Sequence, residues 1–477
     1  MGASRIGLII GALALAAGIF LPPPAGMSRE AFVVAGLVVL MASWWMTEAI
    51  PLTATALMPF LVLPFAGVLD AKATASAYYE PILFLLLGGA FIALAIERTG
   101  MHRRLSLAIL KLVGSGGNQT RLLLAFMLST ATLSMLISNT STALIMMPMA
   151  LAVLAGGGVT PFAGNPAEQS QQGLSGALPM GIAFAASIGG LGTIVGSPTN
   201  GIAVGLLDKM IGVQVSFVEW MAYGVPMVLL GIPLAAVIVA RVHRISAHPF
   251  DVGAARAAIE DHAPWTIAEK RLLPVIAAAF FLWVTQYWAA PYLPKGSWTD
   301  GTIAILAAMA LFLVPDGTGR PLLVWHEANR APWDVIMMFG GGLALAAGMA
   351  ASGLADWLGQ ALLPLEALPL VVVALAIVAM VVLITEFASN VATASGIIPV
   401  VASLVVALGV DPMLLAMPAA IAASWGFMLP SGTGPNAIAW STGNISMRNM
   451  VRAGLWLDIF GIVMIVGVVW SVAAILG

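Results

Sequence analysis

Apolar stretches of membrane-spanning length follow one another along almost the whole sequence of 477 residues. Hydrophobic residues make up 61% of the chain and charged residues only 8%, whereas a soluble domain carries roughly 25% charged residues. Lipid cannot satisfy free backbone N–H and C=O groups, but helices satisfy their own. The sequence therefore predicts an all-α integral membrane protein.

A helix needs about 17 to 25 apolar residues to cross a bilayer. We predict eleven transmembrane helices, near residues 6–21, 31–47, 51–68, 81–96, 176–208, 219–241, 271–291, 300–315, 333–351, 412–443 and 450–476. The first is interpreted as a retained span, since the Pro-rich sequence after it offers no small-residue cleavage site. Two further apolar stretches, 120–155 and 369–408, are each long enough for two limbs and predict re-entrant helical hairpins.

Each predicted hairpin carries a polar pair at its middle. Ser138-Asn139-Thr140 and Ser389-Asn390-Val391 recur 251 residues apart, and a proline follows ten residues after each serine. Further along, Gly196-Ser197-Pro198-Thr199-Asn200 matches Gly432-Thr433-Gly434-Pro435-Asn436. These matches indicate two homologous units.

The two units cover about 31–241 and 271–476. Each contains five complete crossings, so the second unit is inverted relative to the first. Inverted repeats place a binding site near the middle of the membrane, between the copies. With the N-terminus inside, all but four of the 19 Lys and Arg residues lie on the cytoplasmic side, as the positive-inside rule requires.

Four predicted backbone breaks converge, namely two hairpin tips and two helices interrupted at Gly196–Asn200 and Gly432–Asn436. Freed carbonyls with Ser, Thr and Asn oxygens suit a hard monovalent cation such as Na⁺, and the N-termini of half-helices suit an anion. No Lys or Arg lies deep in any predicted span. An anionic solute must therefore be balanced by helix ends and co-bound cations, which predicts a cation-coupled secondary transporter.

Other interpretations use the same residues. Ser, Thr and Asn in membrane helices often only bond a neighbouring helix, although four matched breaks argue against this for the set. Glu386 and Asp458 are intramembrane carboxylates and candidates for proton coupling. The chain has no cysteine, and no catalytic constellation supports a membrane enzyme. A channel would show a continuous polar pore instead of two occluding hairpins.

At these residues the chain resembles the divalent anion/sodium symporter family, within the ion transporter superfamily. The match is carried by residues 44–51, both Ser-Asn tips and the Gly-Pro-Asn-Ala-Ile sequence of 434–438. The resemblance implies a homodimer in the inner membrane that works by an elevator mechanism. The implied scaffold comprises residues 1–119 and 271–368, the moving transport part comprises 120–241 and 369–477, and a cytoplasmic linker covers 242–270.

The resemblance also implies the residues that bind ions and substrate. One Na⁺ site would comprise Ser134, Ser138, Asn139 and Gly196, and the second Thr385, Ala388, Asn390 and Gly432. Substrate carboxylates would meet Asn139, Thr140, Ser197, Ser389, Asn390 and Thr433. On the substrate side Val391 replaces a common Thr and Gly434 replaces a common Pro, which bears on specificity for dicarboxylates more than on sodium coupling.

We therefore expect Na⁺-driven import of small di- or tricarboxylates, with C4 acids such as succinate foremost. Sodium-independent dicarboxylate exchange, which some family members perform, and transport of sulfate or another inorganic anion are the alternatives.

Overall fold

The computed structural model describes residues 2–113, 118–157, 172–248, 250–252 and 264–476. These residues form helices and contain no β-strand. Ten of the helices are long and apolar enough to cross a membrane. The predicted all-α, multi-pass membrane architecture is confirmed. Much of the predicted linker 242–270 and of the loop that follows the first hairpin lies outside the described residues.

The described part of the first unit and the segment before it contains twelve helices. They are α1 Ala3–Phe20, α2 Arg29–Thr47, α3 Leu52–Thr55, α4 Met58–Phe65, α5 Ala71–Ala77, α6 Ile82–Thr99, α7 Met101–Val113, α8 Gln119–Ser134, α9 Asn139–Gly156, α10 Leu174–Gly190, α11 Pro198–Ile211 and α12 Phe217–Val242.

Ten further helices follow in the described part of the second unit. They are α13 Ile267–Ala289, α14 Asp300–Leu313, α15 Trp325–Ala328, α16 Trp333–Ser352, α17 Leu354–Leu362, α18 Leu370–Phe387, α19 Asn390–Leu408, α20 Pro412–Ala422, α21 Gly434–Ser441 and α22 Met447–Leu476.

The third predicted span differs most from its expected form. Residues 51–68 do not form one continuous helix but two short ones, α3 and α4. Pro51 precedes α3 and Pro59 lies in the first turn of α4. Proline has no backbone N–H and its ring opposes a preceding helical turn, so the segment breaks although its composition is apolar.

Each copy contains a helix joint at the same relative position. Gly100 joins α6 to α7, and Gly353 joins α16 to α17, with φ of 80° and 78°. This left-handed backbone favours glycine. No atom lies within 4 Å of the position that a Cβ would occupy at either residue. Residues 98–113 and 352–365 mix polar with apolar residues, which predicts an interfacial amphipathic helix after each joint. The helices α7 and α17 lie at these positions.

An ion-pair network fixes the segment before α16. The Arg98 guanidinium binds the carboxylate of Asp316 and lies 3.4 Å from the carboxylate of Glu327. Arg320 Nη2 lies 2.6 Å from the same Glu327 carboxylate. The hydroxyl of Thr318 also donates to Asp316, at 2.7 Å. The Thr318 hydroxyl and then the Arg98 guanidinium hold the pKa of Asp316 well below its usual value.

This network predicts a pH-dependent contribution to stability. A lowered pKa stabilises the folded state above the usual pKa of an aspartate, and this contribution declines as the pH falls from that usual pKa toward the lower folded-state value. We expect Asp316→Asn to lower the thermal unfolding temperature at neutral pH. On acidification, the unfolding temperature of this variant should fall less steeply than that of the wild type. Thermal unfolding of the purified protein between pH 7 and pH 3 measures this. Equal slopes for both proteins would contradict the prediction.

Candidate functional site

Both Ser-Asn pairs start a helix. Ser138 and Ser389 are the N-cap residues of α9 and α19, with extended backbone, and their hydroxyls accept from the N–H groups of Ser141 and Ala392, each at 3.2 Å. A serine at the N-cap satisfies a backbone donor that the helix cannot. The helix breaks that the sequence predicts at these pairs are thus present, and Asn139 and Asn390 are the first helical residues.

In the first copy four polar groups converge beside the tip. The Ser134 hydroxyl donates to the carbonyl of Ala186 at 2.6 Å and lies 2.7 Å from the amide of Asn139. The same terminal atom of that amide lies 3.1 Å from the Ala186 oxygen and 3.2 Å from the Gly196 oxygen. With its nitrogen in that position, the two N–H groups of the amide face three oxygen acceptors, and with its oxygen there the four groups form a cluster of four oxygens. The second orientation is the one that a cation would favour.

The second copy repeats this arrangement. The Thr385 hydroxyl donates to the carbonyl of Ala423 at 2.7 Å and to Oδ1 of Asn390 at 2.9 Å. A Cβ built on Gly432 would lie 3.5 Å from the carbonyl oxygen of Glu386 and 3.7 Å from that of Thr385, so Gly432 passes close to the backbone at the end of α18. Ala388 caps α18 with an extended backbone. The sets predicted for Na⁺ thus lie next to the two tips.

The interrupted helices are bonded across their gaps by asparagines. Asn200 Nδ2 donates to the carbonyls of Gly190 and Thr193 at 2.7 and 2.8 Å, and Asn436 Nδ2 donates to that of Leu429 at 3.0 Å. Both asparagines lie inside α11 and α21, beyond the breaks. The prediction that the breaks extend to Asn200 and Asn436 is wrong, because each amide side chain closes the gap from the helical side.

Glu386 holds the second gap in a way that the first copy lacks. Its carboxylate accepts from the N–H groups of Phe427, Met428 and Leu429, the last two at 3.0 and 3.1 Å. The residue at the equivalent position of the first copy is Met135. Asp458 of α22 is also buried and lies beside Glu386. The carboxylate therefore replaces backbone partners that the broken helix cannot supply.

A single cavity of about 410 Å³ brings the two copies together. Its walls include all eight residues predicted on the substrate side: Asn139, Thr140, Ser197, Ser389, Asn390, Val391, Thr433 and Gly434. The first residues of α9, α11, α19 and α21 all line it. Four helix N-termini, each with unpaired N–H groups and a positive dipole end, thus border one neutral space. This arrangement suits a small anion.

Two polar groups beside the tips are not among the predicted residues. The carbonyls of Ala186 and Ala423 accept from Ser134 and Thr385, one in each copy. Ala186 lies four residues before the last residue of α10, and Ala423 is the C-cap residue of α20. A helix end leaves its last carbonyls without intrahelical partners. That rule indicates carbonyls near a break but not which one turns toward the tip, because alanine has no side chain to mark it.

Comparison with known proteins gives a consistent result. A family model described as the sodium:sulfate symporter transmembrane region matches residues 3–476. A sodium-dependent dicarboxylate transporter, SdcS, of Staphylococcus saprophyticus is 37% identical, over 98% of this chain and 90% of that protein. SdcS of Staphylococcus aureus (strain USA300) is also 37% identical, over 98% of this chain and 91% of that protein.

A solved structure resembles the fold over nearly its full length. It is described as the crystal structure of the Alcanivorax borkumensis YdaH transporter with an unusual topology. Its TM-score is 0.54 at 14% sequence identity, and the match covers 98% of this chain and 96% of that one. At this identity the likeness concerns the fold alone.

Proposed function

The chain belongs to the sodium:sulfate symporter family, and from this membership we propose that it is a sodium-coupled secondary transporter of small di- and tricarboxylates, chiefly C4-dicarboxylates such as succinate. Relatives that are 37% identical over almost the full length carry the name sodium-dependent dicarboxylate transporter. The cavity between the two tips is the observation that carries the proposal to the residues of this chain.

We assign one Na⁺ to Ser134, Ser138, Asn139 and Gly196, with the Ala186 carbonyl added. The second Na⁺ is assigned to Thr385, Ala388, Asn390 and Gly432, with the Ala423 carbonyl added. The convergence of hydroxyl, amide and carbonyl oxygens beside each tip supports this assignment. Oxygen ligands without fixed charge suit Na⁺, which is here a transported ion that moves with the anion.

The cavity is the proposed substrate site. A dicarboxylate placed there meets the hydroxyls of Thr140, Ser389 and Thr433 and the N-termini of four helices. Because the cavity interior supplies no fixed cation, the two Na⁺ ions and the helix dipoles balance the substrate charge. Sodium binds first and orders both tips, and the anion then binds the completed site.

The remaining architecture is proposed on the same basis. Eleven transmembrane helices and two re-entrant hairpins form an inverted repeat, and the protein is a homodimer in the inner membrane with its N-terminus in the cytoplasm. The scaffold comprises residues 1–119 and 271–368, and the transport part of 120–241 and 369–477 moves across the membrane as an elevator. The linker 242–270 joins the two units. The matched breaks in the two copies support this division.

Uptake of labelled succinate into proteoliposomes tests the function. We expect accumulation that requires an inward Na⁺ gradient and that increases when the interior is made negative, because several Na⁺ ions accompany each substrate. Uptake that ignores sodium but requires internal dicarboxylate would identify an exchanger. Uptake of labelled sulfate that succinate does not inhibit would identify an inorganic anion transporter.

Gly434 leads to a prediction about how the substrate side of the cavity binds succinate. A Cβ at this position would lie 2.4 Å from the Thr140 hydroxyl oxygen of the other copy. We expect Gly434→Ala to displace that hydroxyl from the cavity and to raise the KM for succinate by about tenfold, the cost of one hydrogen bond to a charged group. Uptake kinetics at saturating Na⁺ measure this.

The control for Gly434→Ala is Thr140→Ala, alone and combined with it. If Thr140 carries the effect, the double variant has the KM of Thr140→Ala and no further loss. A double variant much worse than either single variant would show that the added methyl acts elsewhere.

A further inference from the structure

The cavity between the tips has one charged pair among its lining residues. Among the residues that the structure describes, those that border it are uncharged except Glu97, near the end of α6, and Arg330, just before α16. Their side chains are 36% and 55% exposed, so the pair lies at the rim where the cavity meets solvent. The space is therefore neutral inside and charged only at its mouth.

An apolar passage leads from the tips to this pair. One wall is the face of α6 that begins at Gly89, which packs against Val195 of the first break. This wall continues to Glu97 through Ala90, Ala93 and Leu94. At 1.5 Å per residue, Gly89 and Glu97 are about 12 Å apart along the axis. The other wall leads to Arg330 through Ile336, Val335, Pro332 and Ala331. An anion that moves between the tips and solvent by this route meets Arg330 as its first fixed cation.

The guanidinium of Arg330 is loosely held, whereas those of its neighbours Arg98 and Arg320 form shorter ion pairs. Arg330 Nη1 lies 3.6 Å from the Glu97 carboxylate. By contrast, Arg98 binds Asp316, Glu327 and two backbone carbonyls, and Arg320 binds Glu327.

The backbone around Arg330 is nevertheless fixed. Its N–H donates to the carbonyl of Glu327 at 3.1 Å, and the Glu327 side chain belongs to the ion-pair network with Arg98. A fixed backbone with an exposed, weakly paired cation suits the transient binding of a charged ligand.

We infer that Arg330 is an anion-capture residue at the mouth of the cavity, which exchanges Glu97 for a carboxylate of the dicarboxylate as it enters or leaves. This inference rests on the proposed function and adds to it a second, transient recognition site. Arginine suits the role because its planar guanidinium binds a carboxylate through two hydrogen bonds. When no substrate is near, the Glu97 carboxylate pairs with the guanidinium. The substrate must displace it, so the affinity of Arg330 for the substrate stays low.

The inference predicts an effect at one face of the membrane only. We expect Arg330→Gln to raise the succinate KM about threefold to tenfold when uptake starts from the face to which this mouth opens, because a rim charge acts on the association rate. The maximal rate and the half-saturating Na⁺ concentration remain within about twofold, since the tips are unchanged. Intact cells and inside-out vesicles present the two faces separately.

Glu97 variants separate direct capture from net charge. Glu97→Gln frees the guanidinium and is expected to lower the same KM. The double variant Arg330→Gln/Glu97→Gln has the net charge of the wild type, yet we expect it to keep the raised KM. Arg330→Lys should restore part of the loss, because lysine supplies the charge but not the paired donors. Raising ionic strength with choline chloride should raise the KM of the wild type but not that of Arg330→Gln.

Several results would overturn the inference. They are an unchanged KM in Arg330→Gln at both faces, an equal shift at both faces, or a wild-type KM in the double variant. Absence of Na⁺-driven succinate uptake by the wild type would instead refute the proposed function. The two failures are thus distinguishable in one set of vesicles.

Discussion

Asn390→Ala is expected to reduce sodium-dependent succinate uptake by about 10- to 100-fold, and Asn139→Ala to do the same. Each substitution removes an amide oxygen from a cluster that we assign to Na⁺. A hydrogen bond or ligand contact to a charged group contributes about 1.5 to 3 kcal/mol, and 1.4 kcal/mol corresponds to a factor of ten. The Thr385 or Ser134 hydroxyl also loses a neighbour at 2.9 or 2.7 Å.

The measurement that separates binding from misfolding is the sodium-dependent rise in thermal unfolding temperature. A ligand that binds only the folded state stabilises it in proportion to the logarithm of its concentration. We expect each variant to fold but to show a smaller rise with Na⁺ than the wild type. Asn329→Ala, at an exposed turn after α15, is the matched control and should leave both uptake and the rise unchanged. Wild-type sodium dependence in Asn139→Ala or Asn390→Ala would refute the site assignment.

Glu386→Leu is expected to destabilise the folded protein by about 3 kcal/mol or more. The carboxylate accepts from three backbone N–H groups in the gap between α20 and α21. Each buried donor left without a partner costs about 1 to 3 kcal/mol, and no water is available at a buried position to replace the carboxylate. Glu386→Gln should lie between the wild type and Glu386→Leu, because the amide keeps one acceptor oxygen and adds two donors that face other donors.

Met135→Leu is the matched control for Glu386→Leu, because Met135 occupies the equivalent position in the first copy. A change of similar volume in a packed position usually costs less than about 1.5 kcal/mol. Thermal unfolding in detergent at fixed Na⁺ ranks the variants. Equal unfolding temperatures for Glu386→Leu and Met135→Leu would show that the gap keeps its form without the carboxylate.

The helix breaks at the two Ser-Asn pairs could be predicted from sequence because their local chemistry is specific. A serine before an asparagine inside an apolar stretch is a typical helix N-cap. The Ser-Asn pair occurs again 251 residues later, again with a proline ten residues after the serine, and this second occurrence marks the repeat. The grouping of the eight substrate-side residues around one cavity follows from the same repeat. These features depend on residue type and spacing, both of which the sequence displays.

Other features depend on three-dimensional packing and could not be predicted. The carbonyls of Ala186 and Ala423 are backbone groups, so no residue type marks them. Glu386 was recognised as an intramembrane carboxylate, but its three partners lie more than 40 residues away and are N–H groups. The apolar composition of residues 51–68 predicted one helix, whereas its prolines decided the outcome.

The glycine joints at Gly100 and Gly353 have a consequence for how movement would pass through the protein. They occupy corresponding places in the two copies, both have left-handed backbone, and the position of a Cβ is open at each. Two matching joints that rotate by similar angles would translate the part of the protein between them without turning it. If the transport part moves as proposed, its cargo would keep nearly the same orientation throughout the stroke, and both ends of a dicarboxylate would be carried together.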